Sequence, residues 1–162
     1  MNNDLFFSSK KQTWETPQDL FNRLNDVFHF DIDLCALQHT AKCTLYYDPY
    51  IDSLSKDWCG LTYWMNPPYD RNLQPLFIAK ACRDSYLYGS TILCLIPARP
   101  DTKTWQDMIF PHAKAICFLR GRLKFGDGKN AAPFPSALVL FGKDITQEQV
   151  DLFIQLGYTI IN

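Results

Sequence analysis

An apolar run that stops at two consecutive prolines constrains the fold of this chain more than any other feature. Residues 61–65, Leu-Thr-Tyr-Trp-Met, have the composition of a buried strand, and Asn66-Pro67-Pro68-Tyr69 follows directly. The prolines fix φ and prevent this loop from relaxing into a helix. Residues 71–88 then carry apolar side chains at nearly helical spacing and end before Gly89. A strand, a loop and a helix in this order predict an open α/β sheet, where ligands bind at the carboxyl ends of strands.

The loop supplies the groups that methylation of an exocyclic amine requires. The lone pair of an adenine N6 amine is delocalised into the ring, so the amine is a weak nucleophile until its nitrogen becomes more tetrahedral. The Asn66 side-chain oxygen and the Pro67 carbonyl can accept its two hydrogens. Tyr69 offers a flat face to a base that is flipped out or single-stranded. We therefore predict a nucleic-acid methyltransferase with Asn66, Pro67, Pro68 and Tyr69 as catalytic residues; a proline-rich turn with a core tyrosine is the structural alternative.

Length and composition predict one globular domain. At 162 residues and 47% hydrophobic content, the chain can bury a packed core, with residues 1–12 as a flexible tail. No apolar run approaches the ~20 residues that span a bilayer, and no signal peptide is apparent, so we expect a cytoplasmic protein without membrane partners. The six cysteines are scattered without a C-x-x-C pair. This pattern favours buried free thiols over a metal site or disulfides.

Strands and helices are predicted to alternate along the chain. A first helix is expected to begin at Pro17 with Thr16 as its cap and one apolar face, formed by Leu20, Phe21, Leu24, Val27 and Phe28. Further helices are predicted at residues 71–88, 102–110 and 145–156, and strands at residues 30–34, 61–65, 91–96, 115–119, 137–141 and 158–161. Residues 35–60 have room for about one short helix and one strand. The alternation predicts a mostly parallel sheet, with antiparallel pairing possible only for the late strands.

Basic residues are concentrated in one part of the chain, although the net charge is −1. Residues 1–60 hold five Lys or Arg against nine Asp or Glu, whereas residues 97–130 hold seven against three. A phosphate backbone responds to such a local basic surface. Nucleic acid is therefore a compatible partner, and solvated loop charge is the alternative.

These motifs, taken in order, resemble the phage N6-adenine DNA methyltransferases, a Dam-like family of small enzymes that use S-adenosylmethionine. The resemblance covers nearly all of the chain. Its segments are Trp14 to Pro17, Phe30 to Ala36, Trp64 to Tyr69, Leu95 to Trp105, Arg120 to Phe125, and Ala132 to Ala137. It implies a reduced methyltransferase (Rossmann-like) α/β fold with helices on both faces, and an adenine-specific DNA enzyme of a phage or prophage that acts in the cytoplasm of a bacterial host.

The resemblance also implies where the cofactor binds. Residues 33–36 correspond to the Asp-Pro-Cys-Ala form of the first cofactor motif, and Thr16-Pro17 to a segment beside the cofactor. No glycine lies between His29 and Cys59, so the glycine-rich loop of the wider superfamily is missing and the cofactor must be held differently. Three residues are candidates to bind the ribose and adenine, and the sequence does not separate them: Asp48, Asp52 and Asp57. The predicted cofactor residues are Thr16, Pro17, Asp33, Cys35, Ala36 and Asp52.

The resemblance implies no separate target-recognition domain, so the loops at residues 99–105 and 120–130 are expected to contact DNA. The candidates are Arg99, Asp101, Thr102, Trp105, Arg120, Arg122 and Lys124. Arg99 could read a guanine edge or pair with Asp101, and Trp105 could stack on a base or lie in the core. The same chemistry also suits cytosine N4, RNA adenine or protein glutamine. The missing glycines leave open an inactive nucleic-acid-binding module of the same fold.

Overall fold

The computed structural model describes residues 14–162, and the predicted tail at residues 1–12 lies outside them. The helices are α1 (Gln18–Phe28), α2 (Leu73–Tyr88), α3 (Phe110–His112) and α4 (Gln147–Leu156), with a 3-10 turn at Ser53–Ser55 and a π-helical turn at Thr104–Ile109. The strands are β1 (Ile32–Asp33), β2 (Leu45–Tyr46), β3 (Thr62–Met65), β4 (Thr91–Pro97), β5 (Ala115–Leu119), β6 (Ser136–Phe141) and β7 (Gly157–Ile161).

The strands of residues 14–162 form one sheet in the order β2-β1-β3-β4-β6-β5-β7. Strand β1 pairs in parallel with β2 and β3, and β3 pairs in parallel with β4. Strand β6 lies antiparallel between β4 and β5, and β7 is antiparallel to β5. Five strands therefore run in one direction and only β6 and β7 run in the other. The predicted mostly parallel sheet with late antiparallel strands is confirmed.

Two hydrophobic cores cover the two faces of the sheet, because successive strand residues point to opposite faces. Trp64 and Leu93 pack with helices α1 and α4 on one face. Tyr63 and Met65 pack with helix α2 and the π-helical turn on the other. Helices on both faces, as predicted, fix the relative positions of the strand ends that carry the candidate site.

Helix α1 begins one residue later than the sequence predicts. Pro17 occupies its N-cap position with φ −55° and ψ 131°, and no side chain caps the helix. The predicted cap at Thr16 is therefore wrong. Its hydroxyl is engaged instead by the side chain of Asn66, at 3.1 Å from Nδ2. The apolar face is as expected, with Val27 only partly buried and the other four residues buried.

The segment between β1 and β3 is short, as the sequence implies, and holds only β2 and the 3-10 turn. A buried network anchors it to helix α2. The Trp58 indole N–H donates to the Ser53 carbonyl at 3.1 Å, and the Trp58 backbone N–H donates to Asp84 Oδ2 at 3.0 Å. Asp84 in turn pairs with Lys80 at 2.9 Å. This network fixes Ser53 and its neighbours as one wall of the candidate site.

The six cysteines are free thiols; Cys94 and Cys117 are buried in the sheet, and Cys59 is exposed. Within residues 14–162, no cluster of three or more His, Cys, Asp or Glu side chains is arranged to hold a metal ion. None of the helices in this part of the chain is long and apolar enough to cross a membrane.

Candidate active site

A cavity opens where strands β1 and β3 end. Parallel neighbours bring their carboxyl ends to the same edge of a sheet, so the loops after Asp33 and after Met65 meet there. The N-terminal segment at residues 14–16 closes one side, and helix α2 contributes Phe77 from below. The remaining wall comes from the segment after β1, and its residues are Leu34, Cys35, Ala36, Leu37, Thr40, Lys42, Tyr47, Asp48, Pro49 and Ser53.

Asn66 lines this cavity. Its Nδ2 donates to the Trp14 carbonyl at 2.6 Å and to the Thr16 hydroxyl at 3.1 Å. Its Oδ1 is buried and has no hydrogen-bond partner among the described residues. A buried acceptor without a donor costs about 1–3 kcal/mol. The side chain therefore carries an acceptor without a donor among the described residues, at a position that the sequence predicts to be catalytic.

Tyr69 lies in a cluster of four aromatic rings formed by Trp14, Tyr69, Phe125 and Phe134. Its ring centroid is 6.3 Å from that of Phe125 and 5.7 Å from that of Phe134, both edge to face. Its hydroxyl donates to the Leu95 carbonyl at 3.2 Å, and desolvation raises the pKa of this phenol well above its usual value. The ring stays neutral at physiological pH, and any base that stacks on it must also meet the two phenylalanines.

Asp33 is a buried carboxyl that lines the cavity. Its Oδ1 accepts from the Cys35 backbone N–H at 3.1 Å, and its Oδ2 accepts from the Lys42 backbone N–H at 3.0 Å. Burial raises its pKa from 3.8 to about 6, although both hydrogen bonds and the Lys42 charge oppose that rise. Asp33 therefore changes charge close to neutral pH.

Lys42 was not identified from the sequence, although it lines the cavity with only 6% of its side chain exposed. Its Nζ lies 3.3 Å from Glu15 Oε1 and 2.9 Å from Gln18 Oε1. One signal could have identified it, because Lys42 is the only Lys or Arg between Arg23 and Lys56. The cavity thus combines one buried cation with the carboxylates of Glu15 and Asp33.

The predicted cofactor residues are not all in the cavity wall. Thr16, Asp33, Cys35 and Ala36 line it, whereas Pro17 lines an adjacent groove. Asp52 is outside the wall; it has φ 53°, and its carbonyl accepts from the Ser55 backbone N–H and hydroxyl. Of the other two acidic candidates, Asp48 lines the cavity, whereas the exposed Asp57 lies 4.0 Å from Arg83.

The predicted DNA-contacting residues fall into two groups. Arg120, Arg122 and Lys124 line a groove together with the start of helix α1. Residues 99–102 form an exposed turn in which the Thr102 hydroxyl donates to the Arg99 carbonyl at 2.8 Å. The described residues include no ion pair between Arg99 and Asp101. Both loops lie on the surface, where a polymer can reach them.

Trp105 does not belong with these surface residues. Only 1% of it is exposed, and its ring packs against Phe110 at 5.4 Å and Phe118 at 5.8 Å. The prediction that it contacts DNA is corrected, because a fully packed indole cannot reach a base without leaving the core. Phe125 and Phe134 were not identified from the sequence; both rings pack on Tyr69, and Phe125 is itself buried.

A sheet of this topology, with the Asn66-Pro67-Pro68-Tyr69 loop at the end of β3, is consistent with a small α/β methyltransferase. The family model described as "DNA N-6-adenine-methyltransferase (Dam)" matches residues 6–153, and the chain belongs to that family. It is also 34% identical over 141 residues to the "DNA N-6-adenine-methyltransferase" of Haemophilus phage HP1 (strain HP1c1), covering 82% of this chain and 80% of that relative. The predicted resemblance is confirmed, and the protein is a DNA adenine-N6 methyltransferase.

Proposed function

We propose that this protein transfers the methyl group of S-adenosylmethionine to the N6 amine of an adenine flipped out of DNA, with Asn66 and Pro67 as the acceptors of the amine hydrogens. The observation that carries this proposal is the buried Asn66 Oδ1, which has no partner among the described residues. An N6 hydrogen is the donor that it lacks. The Pro67 carbonyl, held by two successive prolines, is the natural second acceptor.

The two acceptors act on the geometry of the nitrogen. Hydrogen bonds to both amine hydrogens favour a tetrahedral nitrogen and free its lone pair for attack. The bound cofactor would supply an electrophilic methyl group for this attack. Because Asn66 Oδ1 is already excluded from water, little reorganisation is needed when the amine arrives.

The cavity wall fits the two ends of S-adenosylmethionine. The amino-acid end carries both signs of charge, and one side of the cavity combines Lys42 with Asp33 and Glu15. The Asp33 carboxylate would hold the amino group, and the Cys35 and Ala36 segment would pass beside it. The wall also contains the apolar Pro49 and Phe77, together with Asp48.

We propose that the ribose hydroxyls bind Asp48. The cofactor residue predicted from the sequence was Asp52. Asp48 lines the cavity, whereas Asp52 does not. Thr16 and Pro17 are proposed to border the cofactor from the N-terminal side. We also propose that the protein acts in the cytoplasm of a bacterial host, in keeping with the phage origin of its relative.

DNA is proposed to lie over the groove that contains Arg120, Arg122 and Lys124. The aromatic cluster joins this groove to the catalytic loop, since Phe125 contacts both Trp14 and Tyr69. Backbone phosphates would meet the basic side chains while the flipped adenine reaches Tyr69. Arg99, Asp101 and Thr102 form the second proposed contact.

Asn66→Ala is expected to abolish methyl transfer, because it removes an acceptor for the reacting amine. Loss of one such positioned group typically costs about 2.7–4 kcal/mol of transition-state stabilisation. Initial rates on unmethylated DNA, with melting temperature and cofactor affinity measured in parallel, check this. Asn72→Ala is the matched control, because Asn72 is exposed and makes no side-chain cap. Turnover of Asn66→Ala within threefold of wild type would refute the assignment.

Cofactor affinity is expected to rise between pH 5 and pH 7. The pKa of Asp33 is about 6 in the free protein, so a cationic amino group binds better once this carboxyl is ionised. Below about pH 6 the dissociation constant should approach a tenfold change per pH unit. Calorimetry at several pH values measures it, with Asp33→Asn as the control that should bind weakly and without this slope. Equal slopes in both proteins would show that another group titrates.

The same carboxyl contributes to the pH dependence of stability. Because its folded pKa lies above its ordinary value of 3.8, its favourable contribution to the free energy of unfolding is present below that value. That contribution is lost as the pH rises from 3.8 to about 6. The sign is opposite to that of cofactor binding, so the two effects are separable in one series of measurements.

Replacing Arg122 and Lys124 together by Gln should weaken DNA binding and flatten its salt dependence. Each lost phosphate contact removes roughly 0.9 from the slope of log affinity against log salt. Fluorescence anisotropy at several salt concentrations measures the slope. Lys143→Gln is the control, because Lys143 is exposed after β6, at the opposite edge of the sheet from the end of β4. An unchanged slope in the double variant would place DNA elsewhere.

A further inference from the structure

We propose that residues 14–16 are a positioning element that sets the orientation of the Asn66 side-chain amide, and that this makes an aspartate at position 66 unable to replace the asparagine at neutral pH. The inference rests on the proposed function of Asn66 and adds the groups that aim its oxygen. Trp14 and Thr16 are positioning residues, because they affect the reaction by orienting the Asn66 side chain.

The two hydrogen bonds of Nδ2 determine the orientation. One runs to the Trp14 carbonyl at 2.6 Å and the other to the Thr16 hydroxyl at 3.1 Å. A backbone carbonyl can only accept, so an oxygen cannot replace the nitrogen at 2.6 Å from it without repulsion. The rotated amide, with Oδ1 and Nδ2 exchanged, is thereby disfavoured. The two N–H groups of Nδ2 both donate to residues 14–16. Oδ1 is therefore the one group of this side chain that has no partner among the described residues.

The segment is held independently of Asn66, and it can therefore act as the fixed partner. Lys42 binds Glu15 at 3.3 Å, and the Gly126 backbone N–H donates to the Glu15 carbonyl at 3.0 Å. The Trp14 ring packs edge to face on Phe125 at 5.5 Å and on Phe134 at 5.0 Å. Thr16 is only 3% exposed.

The same contacts discriminate between asparagine and aspartate. A carboxylate would keep one acceptor oxygen but would bring its second oxygen against the Trp14 carbonyl. Its charge would also meet a wall that carries the carboxylates of Glu15, Asp33 and Asp48, in which Lys42 is the only cation among the described residues. A protonated carboxyl would behave differently, since its O–H can donate to the Trp14 carbonyl while the other oxygen stays free.

Asn66→Asp is therefore expected to lose roughly 10²-fold or more in kcat at pH 8. The ratio of its kcat to that of wild type should rise as the pH falls towards 5.5. Measurement with saturating cofactor and DNA, and division by the wild-type value at each pH, removes the titration of Asp33, which both proteins share. Glu15, Lys42 and Asp48 also line the cavity and are likewise common to both proteins.

Thr16 provides a second, independent measurement. Thr16→Val keeps the shape but removes the acceptor, and we expect roughly a tenfold loss in kcat. Thr16→Ser should restore most of that loss. Because Thr16 also borders the proposed cofactor cavity, kcat is measured at saturating S-adenosylmethionine, and the dissociation constant of each variant is measured separately. A purely structural role would instead lower the melting temperature and leave kcat per folded protein unchanged.

The outcomes separate this inference from the proposed function. If Asn66→Asp matches wild type across the pH range, or if Thr16→Val keeps the wild-type kcat, the positioning role is refuted. The assignment of Asn66 as the amine acceptor survives that result as long as Asn66→Ala is inactive. If Asn66→Asp does not fold, the Thr16 pair decides the question. An active Asn66→Ala would instead refute the proposed function itself.

Discussion

The hydrogen bonds from the Asn66 amide to Trp14 and Thr16 connect parts of the chain that lie about 50 residues apart, and the geometry of the site depends on them. They join the loop after β3 to the segment before helix α1. Through Glu15 and Lys42 that segment also reaches the loop after β1. The catalytic loop, the proposed cofactor wall and the aromatic cluster therefore share one support, and loss of that support would affect all three.

This arrangement accounts for a cavity without a glycine-rich loop. Such loops let the backbone approach a ligand closely, but no glycine lies between His29 and Cys59. The cavity wall instead includes side chains that are buried, among them those of Asp33, Lys42 and Ser53. The Lys80 and Asp84 pair, with Trp58, holds the Ser53 part of this wall in place where a larger fold would add further strands and helices. Breaking such a buried pair is costly because the remaining charge is uncompensated.

The α/β sheet and the loop between β3 and helix α2 were predictable because both depend on local patterns. The apolar run of β3 ends just before Pro67 and Pro68, which prevent the strand from continuing. The helical spacing of the apolar residues that follow produces helix α2. The predictions that were wrong concern side chains whose positions are determined by contacts with residues far away in the sequence. The Thr16 hydroxyl bonds Asn66 and does not cap α1, and the Trp105 ring is buried by Phe110 and Phe118. Lys42 and the choice between Asp48 and Asp52 also required the tertiary structure, because nothing local shows which side chains face the cavity.

The most direct measurement is the identity of the methylated base. The protein is incubated with S-adenosylmethionine that carries an isotope-labelled methyl group and with unmethylated duplex DNA, and the DNA is then digested to nucleosides for mass spectrometry. We expect the label to appear in N6-methyladenine. Label in N4-methylcytosine, or DNA that stays unlabelled with folded protein that binds both ligands, would contradict it.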